Sequence, residues 1–116
     1  MKEVLKIRTK KFAHNCIKLT EFFPKTYLSN HIKGQLIRCS TSVAANYRAT
    51  CLAQSKASFI SKISIVIEEV DEANFWLEFL IDENIIEHQL AKSLIQESKE
   101  LTSIFIASRK TANNNR

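Results

Sequence analysis

Lys56-Ala-Ser-Phe-Ile-Ser-Lys-Ile-Ser-Ile-Val-Ile-Glu-Glu-Val-Asp-Glu-Ala-Asn-Phe-Trp-Leu-Glu-Phe-Leu-Ile-Asp82 is the stretch on which the fold turns. Within it Phe59, Ile63, Val66, Val70, Ala73, Leu77 and Leu80 recur at alternating intervals of four and three, the repeat that keeps one apolar seam along an α-helix. No Gly or Pro interrupts the run, and Ser55 is placed to accept a free amide hydrogen as N-cap. A helix over about 56–82 follows. The segment also carries more apolar surface than one seam requires. Ile65, Trp76 and Phe79, with Glu69 and Glu72, form a second stripe about 100° round the helix. Two coverings are open for it: a second neighbouring helix inside the domain, or a subunit interface, where aromatic residues are enriched.

Working outward, Leu5, Phe12, Cys16, Leu19 and Phe23 share one helical face until Pro24 ends the run, predicting a first helix over about 3–22. Ser29 or Asn30 can cap a second, in which Ile32, Leu36, Cys39, Val43 and Tyr47 recur to about Ala53. On the C-terminal side, Asn84 with Glu87 reads as a capping box for a fourth helix carrying Leu90, Leu94, Leu101, Ile104 and Phe105. One Gly and one Pro in 116 residues leave few turns for a β-sheet. The prediction is all-α: a single antiparallel up-down-up-down four-helix bundle over 1–110, with a disordered polar tail at 111–116.

Charge divides the chain more sharply than its net +5 suggests. Up to Lys62, twelve Lys and Arg oppose only Glu3 and Glu21, a net +10, whereas from Ile63 onward the balance is −5. Such a split suits a nucleic-acid face or complementary self-association. The basic stretch Lys2–Lys11 mixes cations with Val4, Leu5 and Ile7 as a membrane-surface helix would, but its apolar phase continues into the next turns, favouring the first helix of the domain. No apolar run approaches the roughly 20 residues of a bilayer span. Three cysteines without Cys-x-x-Cys spacing argue against a disulfide framework or a zinc site. The expectation is a soluble cytoplasmic protein.

The segments Ser40-Thr-Ser-Val-Ala-Ala-Asn-Tyr-Arg48, Ala53-Gln-Ser-Lys-Ala-Ser-Phe59 with Lys62, and Glu68-Glu-Val-Asp-Glu-Ala-Asn-Phe-Trp-Leu-Glu-Phe-Leu80 resemble the bacterial four-helix-bundle proteins first named for open reading frames inside intervening sequences of 23S ribosomal RNA genes. Relatives of the accessory protein of diversity-generating retroelements belong to the same family. The resemblance runs from Phe12 to about Phe105. It implies a cytoplasmic bundle that forms ring-like homo-oligomers, pentamers in particular, and it implies no catalytic residues. Where the family pattern carries Glu, Gly and Asp, this chain has Ala49, Leu52 and Ser58. Two carboxylates are thereby absent near Arg48, Lys56 and Lys62, and Leu52 cannot supply the positive φ that Gly gives at a helix end.

An enzyme needs a base near a nucleophile, or ligands at metal spacing. His14, His31 and His88 fall on three different predicted helices, and the cysteines sit at or beside apolar positions where a thiol acts as a small hydrophobe. Glu68, Glu69, Asp71 and Glu72 lack the Glu-x-x-His pairs of a di-metal bundle. No catalytic residue, metal or cofactor is therefore expected. Glu69 and Glu72 are expected to pair with Lys or Arg of the basic half, within or between subunits.

The basic set is the remaining candidate. Lys6 and Lys10 lie one turn apart on the first helix, Lys11 and Lys18 form a second row, and His31, Arg38 and Arg48 occupy one stripe of the second helix. Adjacent antiparallel helices would merge these rows into a strip some 30 Å long, facing phosphates. Lys6, Lys10, Lys11, Lys18, Arg38 and Arg48 are thus the expected nucleic-acid contacts, and Glu69, Glu72, Trp76 and Phe79 the expected oligomer interface. Without a helix-turn-helix, zinc finger or RNP-like strand, binding would be backbone-driven. The expected function is a non-enzymatic homo-oligomer binding RNA or DNA, as accessory factor to a reverse transcriptase or another nucleic-acid enzyme. The alternative is a protein-interaction scaffold without nucleic-acid binding.

Overall fold

A computed structural model describes residues 1–115 as four helices: α1 (Lys2–Leu19), α2 (Tyr27–Cys51), α3 (Lys56–Asp82) and α4 (His88–Asn114). A 3₁₀ turn, Thr20–Phe22, closes α1 before Pro24. The bundle is 50 Å long and 20 by 19 Å across. Among the described residues no helix is long and apolar enough to cross a membrane.

The heptad of α3 is its buried seam. Ile63, Val66, Val70, Ala73, Leu77 and Leu80 are all buried, while Phe59 packs against the core from its edge. Ser55 is the N-cap, its side chain accepting from the Ser58 amide at 3.0 Å. The facing residues come from α1 (Leu5, Phe12, Cys16, Leu19), α2 (Ile32, Leu36, Cys39, Val43, Tyr47) and α4 (Ala91, Leu94, Leu101, Phe105), making one continuous apolar cluster. Leu90 is not part of it: that side chain is 41 % exposed, and the inward position one residue on is Ala91. Tyr47 and Phe105 pack ring to ring at 5.2 Å, meeting across the core from the diagonal helices α2 and α4.

Three boundaries differ from the sequence expectation. Helix α2 starts earlier, because Thr26 rather than Ser29 or Asn30 is the cap and accepts from the Ser29 amide at 3.1 Å. Asn84 belongs to the end of α3, not the start of α4: it holds φ 57°, with the Asn84 amide on the Ile81 carbonyl and the Ile85 amide on the Leu80 carbonyl. That pairing is a Schellman closure, for which Asn is the usual substitute for Gly. Helix α4 then begins behind Glu87, whose side chain makes no capping hydrogen bond.

The expected disordered tail at 111–116 is helical through Asn114, with Arg116 outside the described residues. Lys56 of α3 donates to the Asn113 and Asn115 carbonyls, giving the last turn of α4 the cationic partner that favours a helix C-terminus. Helix α2 ends without positive φ, as Leu52 at −97°, 3° lets amides 52 and 53 bond three residues back.

Candidate nucleic-acid interface

Antiparallel packing separates cations that the sequence placed together. A ten-residue offset turns a helix through about 1,000°, leaving Arg38 and Arg48 about 80° apart. Arg38 therefore leans towards α3, where its guanidinium donates to Glu69 at 3.0 Å and to Glu72. Glu72 also accepts from the Trp76 indole at 3.2 Å, and Trp76 meets the His31 ring edge-on at 5.9 Å. The Arg38 hydrogen bond holds the Glu72 carboxyl below its ordinary pKa. Glu69 and Glu72 thus find their basic partner within the same chain.

Arg8 is engaged in the same way on the opposite side. It forks onto Glu97 at 2.6 and 3.0 Å and reaches Glu100 at 3.4 Å, joining α1 to α4. Two of the twelve cations of the basic half are therefore neutralised by the acidic half, and both are arginines, whose planar fork suits paired carboxylates. The lysines and Arg48 are left over.

Arg48 turns towards α1. With Lys6 and Lys10 it borders a groove of about 470 Å³ whose floor is Thr41, Ala44 and Ala45. Small residues on α2 open this trench, since Thr41, Ala44 and Ala45 raise nothing longer than a methyl or hydroxyl group from its floor. Lys6 also approaches Glu3 at 3.2 Å, an exposed pair with little hold on the ammonium. Among the described residues Lys10 and Arg48 make no ion pair.

Lys11 and Lys18 do not join them. Lys18 lines a different cleft, between α1 and α4, with Leu90, Ser93 and Leu94, and Lys11 is exposed on that same row. The merged 30 Å strip divides into the α1–α2 groove and an isolated row on the other flank. Of the six expected contacts, Lys6, Lys10 and Arg48 converge. Arg38 is taken by carboxylates, and Lys11 and Lys18 stand apart.

On the expected interface, Trp76 and Phe79 are half-buried against the core, with rings 5.9 Å apart. Phe75, which sequence reasoning passed over, is 52 % exposed and stacks on Phe79 at 5.7 Å. Its signal was the four-residue offset to Phe79. Ile65, 42 % exposed, extends this outer face of α3.

A family model described as "23S rRNA-intervening sequence protein" matches residues 4–107. The chain belongs to that family. Among solved structures, this 23S rRNA-intervening sequence family member is similar to a protein of unknown function from the S23 ribosomal protein family of Bacteroides thetaiotaomicron, crystallised at 1.70 Å resolution. The two share 32 % identity and a TM-score of 0.80, over 91 % of this chain and 98 % of the other. No curated protein matches the family member described here. The family match over residues 4–107 takes in α2 and α3 entirely and the greater part of α1 and α4.

Proposed function

We propose that this protein is a non-enzymatic, self-associating bundle that holds the phosphate backbone of RNA or DNA, as accessory factor to a nucleic-acid enzyme such as a reverse transcriptase. The observation carrying this reading is the groove of Lys6, Lys10 and Arg48. There, cations from two helices face a trench without a carboxylate lining it, while Arg8 and Arg38 are consumed elsewhere. The small floor admits a phosphodiester close to the helix backbones, and among the described residues there is no strand to serve as an RNP-like base-reading platform. Binding is therefore electrostatic, with affinity falling linearly in log–log against salt.

Fluorescence anisotropy with a labelled RNA oligomer, titrated across salt, tests it. Measurable binding at about 50 mM salt that weakens steeply towards 200 mM is expected, and with a single-stranded oligomer Lys10→Gln/Arg48→Gln should make the slope shallower by about 1.4. Absence of binding at the lowest salt overturns the reading. Self-association, with a pentameric ring favoured, is supported by a separate observation, the exposed Phe75 and Ile65 on α3.

A further inference from the structure

The two halves of the sequence are distributed along the bundle as well as around it. The end formed by the start of α1, the α2–α3 connection and the finish of α4 comprises residues 1–7, 45–64 and 103–115. There Lys2 and Lys6, Arg48, Lys56 and Lys62, and Arg109 and Lys110 oppose Glu3 alone, a net +6. The remaining described residues hold nine cations and eleven carboxylates, a net −2. The cause is antiparallel topology: the acidic residues of the second half are confined to positions 68–100, which lie in the middle and at the opposite end.

Most of this charge is uncompensated. Lys56 donates to backbone carbonyls and Arg109 to the Ser64 hydroxyl at 3.1 Å, neutral partners that orient the side chains without cancelling them. Lys2, Arg48, Lys56 and Lys110 are exposed. The α1–α2 groove opens at this same end, since Lys6 lies near the start of α1 and Arg48 in the last turn of α2. The end measures about 20 by 19 Å, a span over which a duplex passes roughly a dozen phosphates, about half of them facing the protein.

We infer that the nucleic-acid backbone crosses the basic end of the bundle, from the α1–α2 groove over the termini of α3 and α4, and does not run along the helices. This rests on the nucleic-acid reading above and adds where, and in what direction, the strand lies. Lys2, Lys62 and Lys110 become contacts, while Lys18, Lys25 and Lys33, near the opposite end, do not.

Two triple variants with equal charge loss decide it: Lys2→Gln/Lys62→Gln/Lys110→Gln, and Lys18→Gln/Lys25→Gln/Lys33→Gln. Glutamine keeps helix propensity, and thermal unfolding confirms that both fold. With a labelled 20-base-pair RNA duplex at 50 mM salt, the first variant should lose at least ~100-fold in affinity and about 2.7 in salt slope. The second should stay within about threefold of the parent. Equal losses in the two variants, meaning that affinity follows net charge alone, overturn the end-on placement and leave the nucleic-acid reading standing, as does an unaltered first variant. A parent protein that does not bind overturns both.

Discussion

At the scale of single residues, partner choice separates cations that look alike in the sequence. Arg38 and Arg48 occupy the same helix, yet one is held by two carboxylates and the other borders an open groove. The Glu72 carboxyl, lowered chiefly by the Arg38 hydrogen bond, contributes stability that is present above the unfolded carboxylate value near ~4.3 and is lost as pH falls through the lower folded one. Arg38→Gln should therefore cost up to about 1 kcal/mol at pH 7, the range of exposed pairs, and the cost should fade in acid. Urea unfolding of both proteins at pH 7 and pH 3 measures this, and a penalty unchanged at pH 3 would contradict the assignment. The thiols make a second contrast. Burial encloses Cys16 and Cys39, pushing the latter up to about 12, whereas Cys51 is only half-buried. A thiol reagent at pH 8 should titrate one cysteine rapidly in the native protein and all three after unfolding.

At the scale of elements, the helix interiors were plain in the sequence and their ends were not. The 56–82 helix was legible because one heptad, one cap and the absence of breakers agree on it. Asn84 was misread because Asn serves equally as an N-cap and as the left-handed residue closing a helix, and only the amides of 84 and 85 show which. Asn84→Gly should be neutral or slightly stabilising, and Asn84→Val, β-branched at positive φ, should cost 1 kcal/mol or more, about the usual price of such strain. Chemical denaturation of the two variants compares them. The Thr111–Asn114 turn reads as tail in the sequence because Thr111, Asn113 and Asn114 are polar, weak helix formers with no large apolar residue to bury. Its support is Lys56, more than fifty residues away in sequence.

At the scale of the whole molecule, two surfaces remain without a partner in the single chain: the basic end and the outer face of α3. Phe75 exposes apolar area beside Phe79, and Ile65 adds an exposed apolar side chain about 15 Å from Phe75 along the helix axis, where a neighbouring subunit would exclude water. Light scattering of the parent should show an oligomer, and Phe75→Ser should shift it towards monomer while leaving the bundle folded, at a cost of about 1–2 kcal/mol for the lost stacking on Trp76 and Phe79. A parent that runs as a monomer at micromolar concentration would remove this face as an interface. The candidate groove was legible in part: Lys6 and Lys10 share a row by simple spacing. Arg48 joins them only because the register of α2 against α1 carries it there.

Helix content, the order of the elements, the seam residues and the charge contrast between halves follow from local pattern, because the 3.6-residue turn and side-chain polarity are properties of neighbouring residues. Which cations stay free, and where they gather, was settled by tertiary structure. Antiparallel packing sets Arg8 and Arg38 against carboxylates of neighbouring helices and gathers Lys2, Lys6, Arg48, Lys56, Lys62, Arg109 and Lys110 at one end with Glu3 as the one opposing carboxylate, since charges interact through space and not along the chain.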